Sequence, residues 1–523
     1  MKRKDTIKIV LCNIVFMFGM VLALQVSQKN VADIYMEYVV SAKHEENMLF
    51  FSNFLYGELL SGLYSVFPQV SWYGVMQYVC MLISFCVITH KVAEHFNTKA
   101  GMVINFLILA TLGYECYYNP EYTKTALLVV VAALLVIWLS GEKKSVWSYV
   151  FGCVWAVLGA LINVRVFFIV LVLFIACAGI WMFLEQRKGI LAICIQLILV
   201  VVIAGTAQTI DEQQYEKFQI ENGANRNAVV MLYEFGFPEY ALHSGEYGAL
   251  NITENMYESI MDGRFVAINW EQLNNLAKVK LAHPYGKLNL LQKENIFHMI
   301  ISSANYVLLA VLCVFLFSDA KKKLLKMIWC LILFGCSIVI LYYFGAENCE
   351  WILYTFVFTL SVALLFQADS LEYEKLKYNV FPFMGLFLYF FLLNNPISHM
   401  GVAEWRDSKQ DWMLQRGANV EAQYIYDLRS FVESKPVFTS YADFEIADNI
   451  YMVGYLDYLN APNAENAFSL SVIRQYMSNS YWCEDAENIY AVSNTIRLTE
   501  GHNVGFIEMS RAERVIIYGV TAE

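Results

Sequence analysis

Read as apolar and polar positions, the chain alternates long apolar runs with short polar connections. A helix that crosses a membrane needs about 20 mostly apolar residues. Such runs recur near residues 7–26, 71–89, 101–117, 123–140, 146–163, 166–184, 189–208, 299–318, 326–344, 351–367 and 379–394, which predicts eleven spans. Lys and Arg gather in every second connection: Lys2, Arg3 and Lys4; Lys91 and Lys99; Lys143 and Lys144; Arg187 and Lys188; Lys321, Lys322, Lys323 and Lys326; Lys375 and Lys377. Basic connections mark the cytoplasmic side, so the N-terminus is expected in the cytoplasm and the C-terminus outside, in a multi-pass membrane protein. The first apolar run is too long for a signal peptide and lacks a small-x-small cleavage site, so it reads as a retained anchor.

This alternation leaves three long segments on the outer face: 27–70, 209–298 and 395–523. Within the first, Leu49–Phe67 carries apolar residues at helical intervals and suits an interfacial helix. The second contains a helical pattern at Trp270–Leu281. In the third, Val420–Val432 and Phe444–Leu456 show helical spacing, while Glu487–Ser493, Val504–Met509 and Arg514–Val520 read as strands. The expected division is a membrane module, 1–394, followed by a small α+β extracytoplasmic domain, 395–523.

Composition agrees with the pattern. Of 523 residues, 58% are apolar and only 16% charged, against roughly 25% charged in soluble domains. Global disorder is excluded. The net charge of −11 divides unevenly, with −5 in 209–298, −9 in 395–523 and a slight positive excess elsewhere. The acid therefore belongs to the outer segments. There is no basic stripe interleaved with aromatics, so nucleic acid is not expected as a partner. Nine of the twelve cysteines lie inside apolar runs and no CxxC pair occurs, so no structural disulfides are expected. The outer histidines show no i, i+4 pair, which disfavours zinc. There is no P-loop pattern and no internal repeat.

The candidate chemistry lies at the outer mouths of the spans. Asp33 follows the first span by about seven residues, where a carboxylate can act as general base or hold a divalent cation. Glu37, four residues later, reads as a solvated side chain. Glu121 follows Pro120 and opens the fourth span, which puts a carboxylate at a positive helix N-terminus; helix capping is the competing role. Arg165 stands alone between spans five and six. It either clamps a lipid phosphate with its planar guanidinium or snorkels to the interface. Lys124 and Arg226 are further phosphate candidates. Tyrosines at span ends, including Tyr114, Tyr117, Tyr118 and Tyr122, read mostly as an aromatic belt.

A first span followed by an acid early in a long outer loop, many spans and an outer C-terminal segment resembles the GT-C glycosyltransferases. These membrane enzymes use polyprenyl-phosphate sugars. The pieces carrying the resemblance are Asp33-Ile34-Tyr35-Met36, Asn119-Pro120-Glu121-Tyr122-Thr123-Lys124-Thr125-Ala126 and Tyr233-Glu234-Phe235-Gly236-Phe237-Pro238-Glu239-Tyr240. They are similar in particular to a poorly characterised bacterial multispanning branch. The resemblance implies a GT-C-like polytopic α-helical fold with Asp33 and Glu121 as catalytic residues. Arg165, Lys124 and Arg226 are the candidate substrate contacts read from the residues themselves, and the resemblance makes a divalent cation, Mg or Mn, the cofactor to look for. The implied partners are a polyprenyl-phosphate-linked sugar, an extracytoplasmic glycan acceptor and membrane lipid. The sequence departs from the pattern of paired first-loop acids, because Ala32 precedes a single Asp. The competing readings are an O-antigen- or capsule-type polymerase or ligase, whose sites lean on outer-face arginines, and a non-catalytic scaffold or transporter.

Overall fold

The computed structural model describes residues 3–24, 26, 30–42, 48–96, 98–143, 146–185, 189–222, 226–254, 256–257, 270–282, 308, 311–316, 318, 322–343 and 350–368, together with 423–427, 437–438, 450–453, 480–485, 504–512 and 515–522. The helices are α1 (Arg3–Leu24), α2 (Val31–Ala42), α3 (Phe54–Val66), α4 (Trp72–His95), α5 (Thr98–Ile108), α6 (Tyr114–Tyr118), α7 (Tyr122–Lys143), α8 (Val146–Ile162), α9 (Val164–Phe174), α10 (Ile180–Leu184), α11 (Ile190–Asn222), α12 (Arg226–Phe235), α13 (Tyr240–Ala249), α14 (Trp270–Ala282), α15 (Lys323–Tyr343) and α16 (Glu350–Leu365). Single π-helical turns, Leu109–Gly113 and Ile175–Gly179, join α5 to α6 and α9 to α10.

Six helical segments among the described residues are long and apolar enough to cross a membrane: Lys4–Leu22, Trp72–His95, Ala100–Tyr118, Tyr122–Leu139, Ile190–Lys217 and Lys323–Ile340. Three shorter apolar helices, Val146–Ile162, Val164–Gly179 and Trp351–Leu365, fall on further predicted spans. The predicted span 379–394 and most of 299–318 lie outside the described residues. The seventh span runs on past its predicted end to Asn222, because Asp211–Gln219 contains strong helix formers and neither Gly nor Pro.

The bundle is organised around α7, 94% of whose apolar window is buried. Its closest neighbour is α8, which approaches through small residues: Gly152, Ala156, Gly159 and Ala160 are all buried. A Cβ on Gly152 would lie 2.8 Å from Ile137 Cγ1, and one on Gly159 would overlap the Val130 side chain. Small residues one turn apart are how helices come close where no hydrophobic effect drives them together.

Side-chain contacts gather the ends that the charge alternation assigns to one side. Thr6 Oγ1 lies 3.4 Å from His90 Nε2, His95 Nε2 lies 2.6 Å from the Ala368 carbonyl, and Lys326 Nζ pairs with Glu185 Oε1 at 2.8 Å. At the opposite end α2, α3 and the starts of α4, α7 and α9 come together.

The described part of 395–523 is a five-stranded mixed sheet of β1 (Gln423–Asp427), β2 (Ile450–Val453), β3 (Ser480–Asp485), β4 (Val504–Ala512) and β5 (Val515–Ala522), in the order β2-β1-β3-β5-β4. β1 runs parallel to β2 and β3, whereas β5 is antiparallel to β3 and β4, with a bulge at Glu508/Ser510. The strands expected at Val504–Met509 and Arg514–Val520 are present. The helices expected over Val420–Val432 and Phe444–Leu456 are corrected: their centres are strands. Both are short runs of Tyr, Ile, Met and Val, and periodicity does not separate a buried strand from a helix at that length. The predicted strand Glu487–Ser493 lies outside the described residues.

Candidate functional site

Asp33 stands in the first turn of α2, where Asn30 Oδ1 accepts from the amides of Ala32 (2.8 Å) and Asp33 (3.4 Å). The Asn-x-x-Asp order thus starts the helix in the usual way. The Asp33 side chain is completely buried. Its Oδ1 accepts three hydrogen bonds, from Tyr73 Oη (2.6 Å), Gln77 Nε2 (2.5 Å) and the Tyr122 amide (2.9 Å). Its Oδ2 is buried with no hydrogen-bond partner among the described residues. Burial pushes the Asp33 carboxyl well above its ordinary value, against the three donors, and the nearby Glu121 carboxylate pushes it the same way.

Glu37 lies one turn further along α2 and is also completely buried. This corrects the expectation of a solvated side chain: α2 is covered on this face by α4, so residues four apart are buried together. Ser71 Oγ lies 2.8 Å from Glu37 Oε1 and 2.7 Å from the Val437 carbonyl oxygen, and the Val437 amide donates to the Val26 carbonyl (3.0 Å). Gly74 allows this packing, since a Cβ there would lie 2.6 Å from the Val437 carbonyl oxygen. Phe438 rests on the Tyr78 ring at 4.9 Å. The buried tyrosines Tyr56, Tyr64 and Tyr73 complete the surroundings, and the Tyr73 amide donates to Tyr64 Oη at 3.1 Å. Burial raises the phenols of Tyr56 and Tyr64 above their ordinary value. Tyr117 and Tyr122 are buried here too, so they belong to the core and not to a lipid-facing belt.

Glu121 precedes α7 directly, and its Oε1 and Oε2 accept from Asn119 Nδ2 (3.1 Å) and Thr123 Oγ1 (3.2 Å). Lys124, 4% exposed, pairs with Glu115 (2.8 Å) and Glu121 (3.3 Å) and donates to the Asn119 carbonyl (3.2 Å). Asp33, Glu121 and Lys124 therefore form one cluster at the N-terminus of α7, although Asp33 lies 89 positions from Tyr122.

Arg165 and Arg226 form a second group. Both line a cavity of about 360 Å³, together with Phe50, Phe51, Asn53, Asn163, Gln208, Glu212, Tyr215 and Glu216, among others. Asn163 and Asn53 cap α9 and α3, Asn163 Oδ1 accepting from the Arg165 amide (3.0 Å) and Asn53 Oδ1 from the Leu55 amide (3.0 Å). The Arg226 guanidinium is held on three sides: Nη1 by Asp211 Oδ2, Nε by the Phe50 carbonyl (2.7 Å) and Nη2 by the Ser52 carbonyl (2.8 Å). It also lies 3.9 Å from the centre of the Tyr215 ring. Asp211 is buried, and its other oxygen accepts from the Phe54 amide (2.5 Å) at the start of α3. Sequence reasoning missed Asp211; an acid just beyond an apolar run followed by an arginine 15 residues later is the only signal it leaves.

The loop 49–53 separates the two groups. Phe51 lines the cavity and its ring centre lies 6.2 Å from that of Tyr122, while Ser52 Oγ donates to Met36 Sδ at 3.3 Å. Asp33 does not line this cavity. A divalent ion takes six or more oxygen ligands, whereas nitrogen and hydroxyl donors surround Asp33 Oδ1. No three His, Cys, Asp or Glu side chains are grouped for an ion among the described residues. Three donors already fill Asp33 Oδ1, so that oxygen is not available to the implied cation.

No family model matches the sequence, and no curated protein matches it. Among solved structures, the chain is similar to the apo form of the Archaeoglobus fulgidus oligosaccharyltransferase, at 11% identity and a TM-score of 0.46, over 100% of this chain and 75% of that one.

Proposed function

We propose that the protein is a membrane glycosyltransferase that moves a sugar from a polyprenyl-phosphate donor to an extracytoplasmic glycan or other cell-envelope acceptor. One observation supports the reading: a buried carboxyl, Asp33, is built against the start of α7 beside Glu121, at the end of the bundle where α2, α3 and the starts of α4 and α9 meet. Such a group, held by Tyr73 and Gln77 and with Oδ2 left over, suits proton transfer better than solvation. The acceptor hydroxyl oxygen would bond to the anomeric carbon as the bond from that carbon to the phosphate oxygen breaks. The hydroxyl proton would pass to Asp33 Oδ2, and the polyprenyl phosphate would leave with the bonding pair. Arg165, on the neighbouring cavity, is the cation for the charge that develops on that phosphate. Asp33 is closed to solvent in the described conformation, so the acceptor reaches it only when the segments over α2 part. Glu121 sets the local charge and restrains Lys124.

The test is transfer from a radiolabelled polyprenyl-phosphate sugar by the purified full chain, with Asp33→Asn and Arg165→Ala alongside. Loss of about a hundredfold or more in Asp33→Asn is expected for a missing base. Full activity in that variant would remove the mechanism. A polymerase or ligase has one observation in its favour, the shared cavity of Arg165 and Arg226. It predicts products of many lengths, where a transferase adds a single unit.

A further inference from the structure

The cavity between α3, α9, α11 and α12 has a composition that neither arginine alone explains. A phosphate site should be rich in unengaged donors and positive overall. Here the Arg226 guanidinium is tied to Asp211, Phe50 and Ser52, and its face is stacked on Tyr215. Glu212 and Glu216 are exposed carboxylates on the same wall, and Asp211, behind them, is already paired with Arg226. An anion entering this space therefore faces the carboxylates of Glu212 and Glu216 as well as the two guanidiniums. What remains is a set of polar groups, the amides of Asn163, Gln208 and Asn227 and the two glutamates, with Gln208 Nε2 donating to Glu212 Oε1 at 3.2 Å, beside the edges of Phe50 and Phe51 that line the cavity. Asn163 uses its carbonyl oxygen to cap α9, so its NH2 remains to donate, whereas the glutamates only accept.

Paired acceptors, amide donors and flat apolar surface match the vicinal hydroxyls and C–H faces of a neutral sugar ring. The volume falls within the usual range for small-molecule pockets, roughly 300–1,000 Å³. We propose that this cavity is a binding site for an uncharged saccharide, with Gln208, Glu212 and Asn163 as its hydroxyl-binding groups and Arg226 as a strut in its wall. The idea rests on the transferase reading only for calling that sugar a substrate; binding is measured without turnover.

Saturation-transfer NMR would be run on the full chain in phosphatidylcholine nanodiscs, with chitobiose, maltotriose and mannotriose as separate probes and inorganic pyrophosphate as the anionic one. The expected result is saturable contact with at least one saccharide. Gln208→Ala and Glu212→Ala, both partly or fully exposed and outside the core, should each weaken it about fivefold, the worth of one hydrogen bond. Pyrophosphate binding that vanishes in Arg165→Ala, with no saccharide bound, would overturn the proposal. So would saccharide binding that both alanine variants leave intact, or no binding by any of the three sugars. Sugar binding by a chain that transfers nothing would leave the cavity assignment standing and remove only the transferase.

Discussion

At the scale of single residues, the chain keeps several ionisable groups where water does not reach them, and their consequences can be measured. Asp33 is the sharpest case. Its carboxyl titrates above its ordinary value in the fold, so the native state holds the proton more tightly than the unfolded chain does. Stability from this group is complete below the unfolded value, near pH 4, and is lost as pH rises through the folded one. Asp33→Asn has no proton to lose. Its melting temperature should therefore gain on the parent as pH is raised from 5 to 8, and a constant difference would mean that Asp33 is not buried as described. The same proton affects rate: a base works only when ionised, so kcat/KM should climb with pH until Asp33 is deprotonated.

Arg226 gives a second test at this scale. It neutralises Asp211, whose side chain is completely buried, and removing one partner of such a pair costs about 3–5 kcal/mol. Arg226→Ala should lower thermal stability strongly, and Asp211→Ala/Arg226→Ala should recover part of the loss. A residue used only to clamp phosphate would instead reduce transfer and leave melting unchanged. Asp33 was legible from its position after the first span. Glu37 was not, because its burial depends on α4 and Val437, and no local pattern announces either.

At the scale of elements, hydropathy located most helices well because burial in lipid or core selects long apolar runs directly. Trp270–Leu281 reappears as α14, and Leu49–Phe67 as a turn followed by α3. The failures have one cause. A five-residue run such as Gln423–Asp427 has too few positions to distinguish period 3.6 from the continuous apolarity of a central strand. The two π turns were equally hidden, since each inserts a single wide turn without Pro to mark it. The α7–α8 contact is the element-level prediction. Gly159→Leu inserts a side chain against Val129 and Val130 and should destabilise the bundle by about 1–3 kcal/mol. The same change at Gly19 or Gly205, where a Cβ meets nothing within 4 Å, should be close to neutral. Equal effects at all three sites would show that α8 does not pack this way.

At the scale of the whole molecule, the charge of −11 is unevenly placed: the acid lies in 209–298 and 395–523, and the basic residues cluster at the connections between alternate predicted spans. If eleven spans are present, alkaline phosphatase fused after Glu523 is active outside the membrane and the same enzyme fused after Lys143 is inactive. Activity of both or neither would require a different count. The membrane class follows from the sequence by itself, since it rests on local hydropathy, and the charge counted within short connections gives the sidedness that these fusions test. The tertiary structure alone decided which polar groups are buried and which meet. Asp33 and Tyr122, Arg226 and Phe50, Ser71 and Val437 are separated by 89, 176 and 366 positions. Their contacts depend on how helices pack, and the energy of burying a carboxyl depends on everything around it.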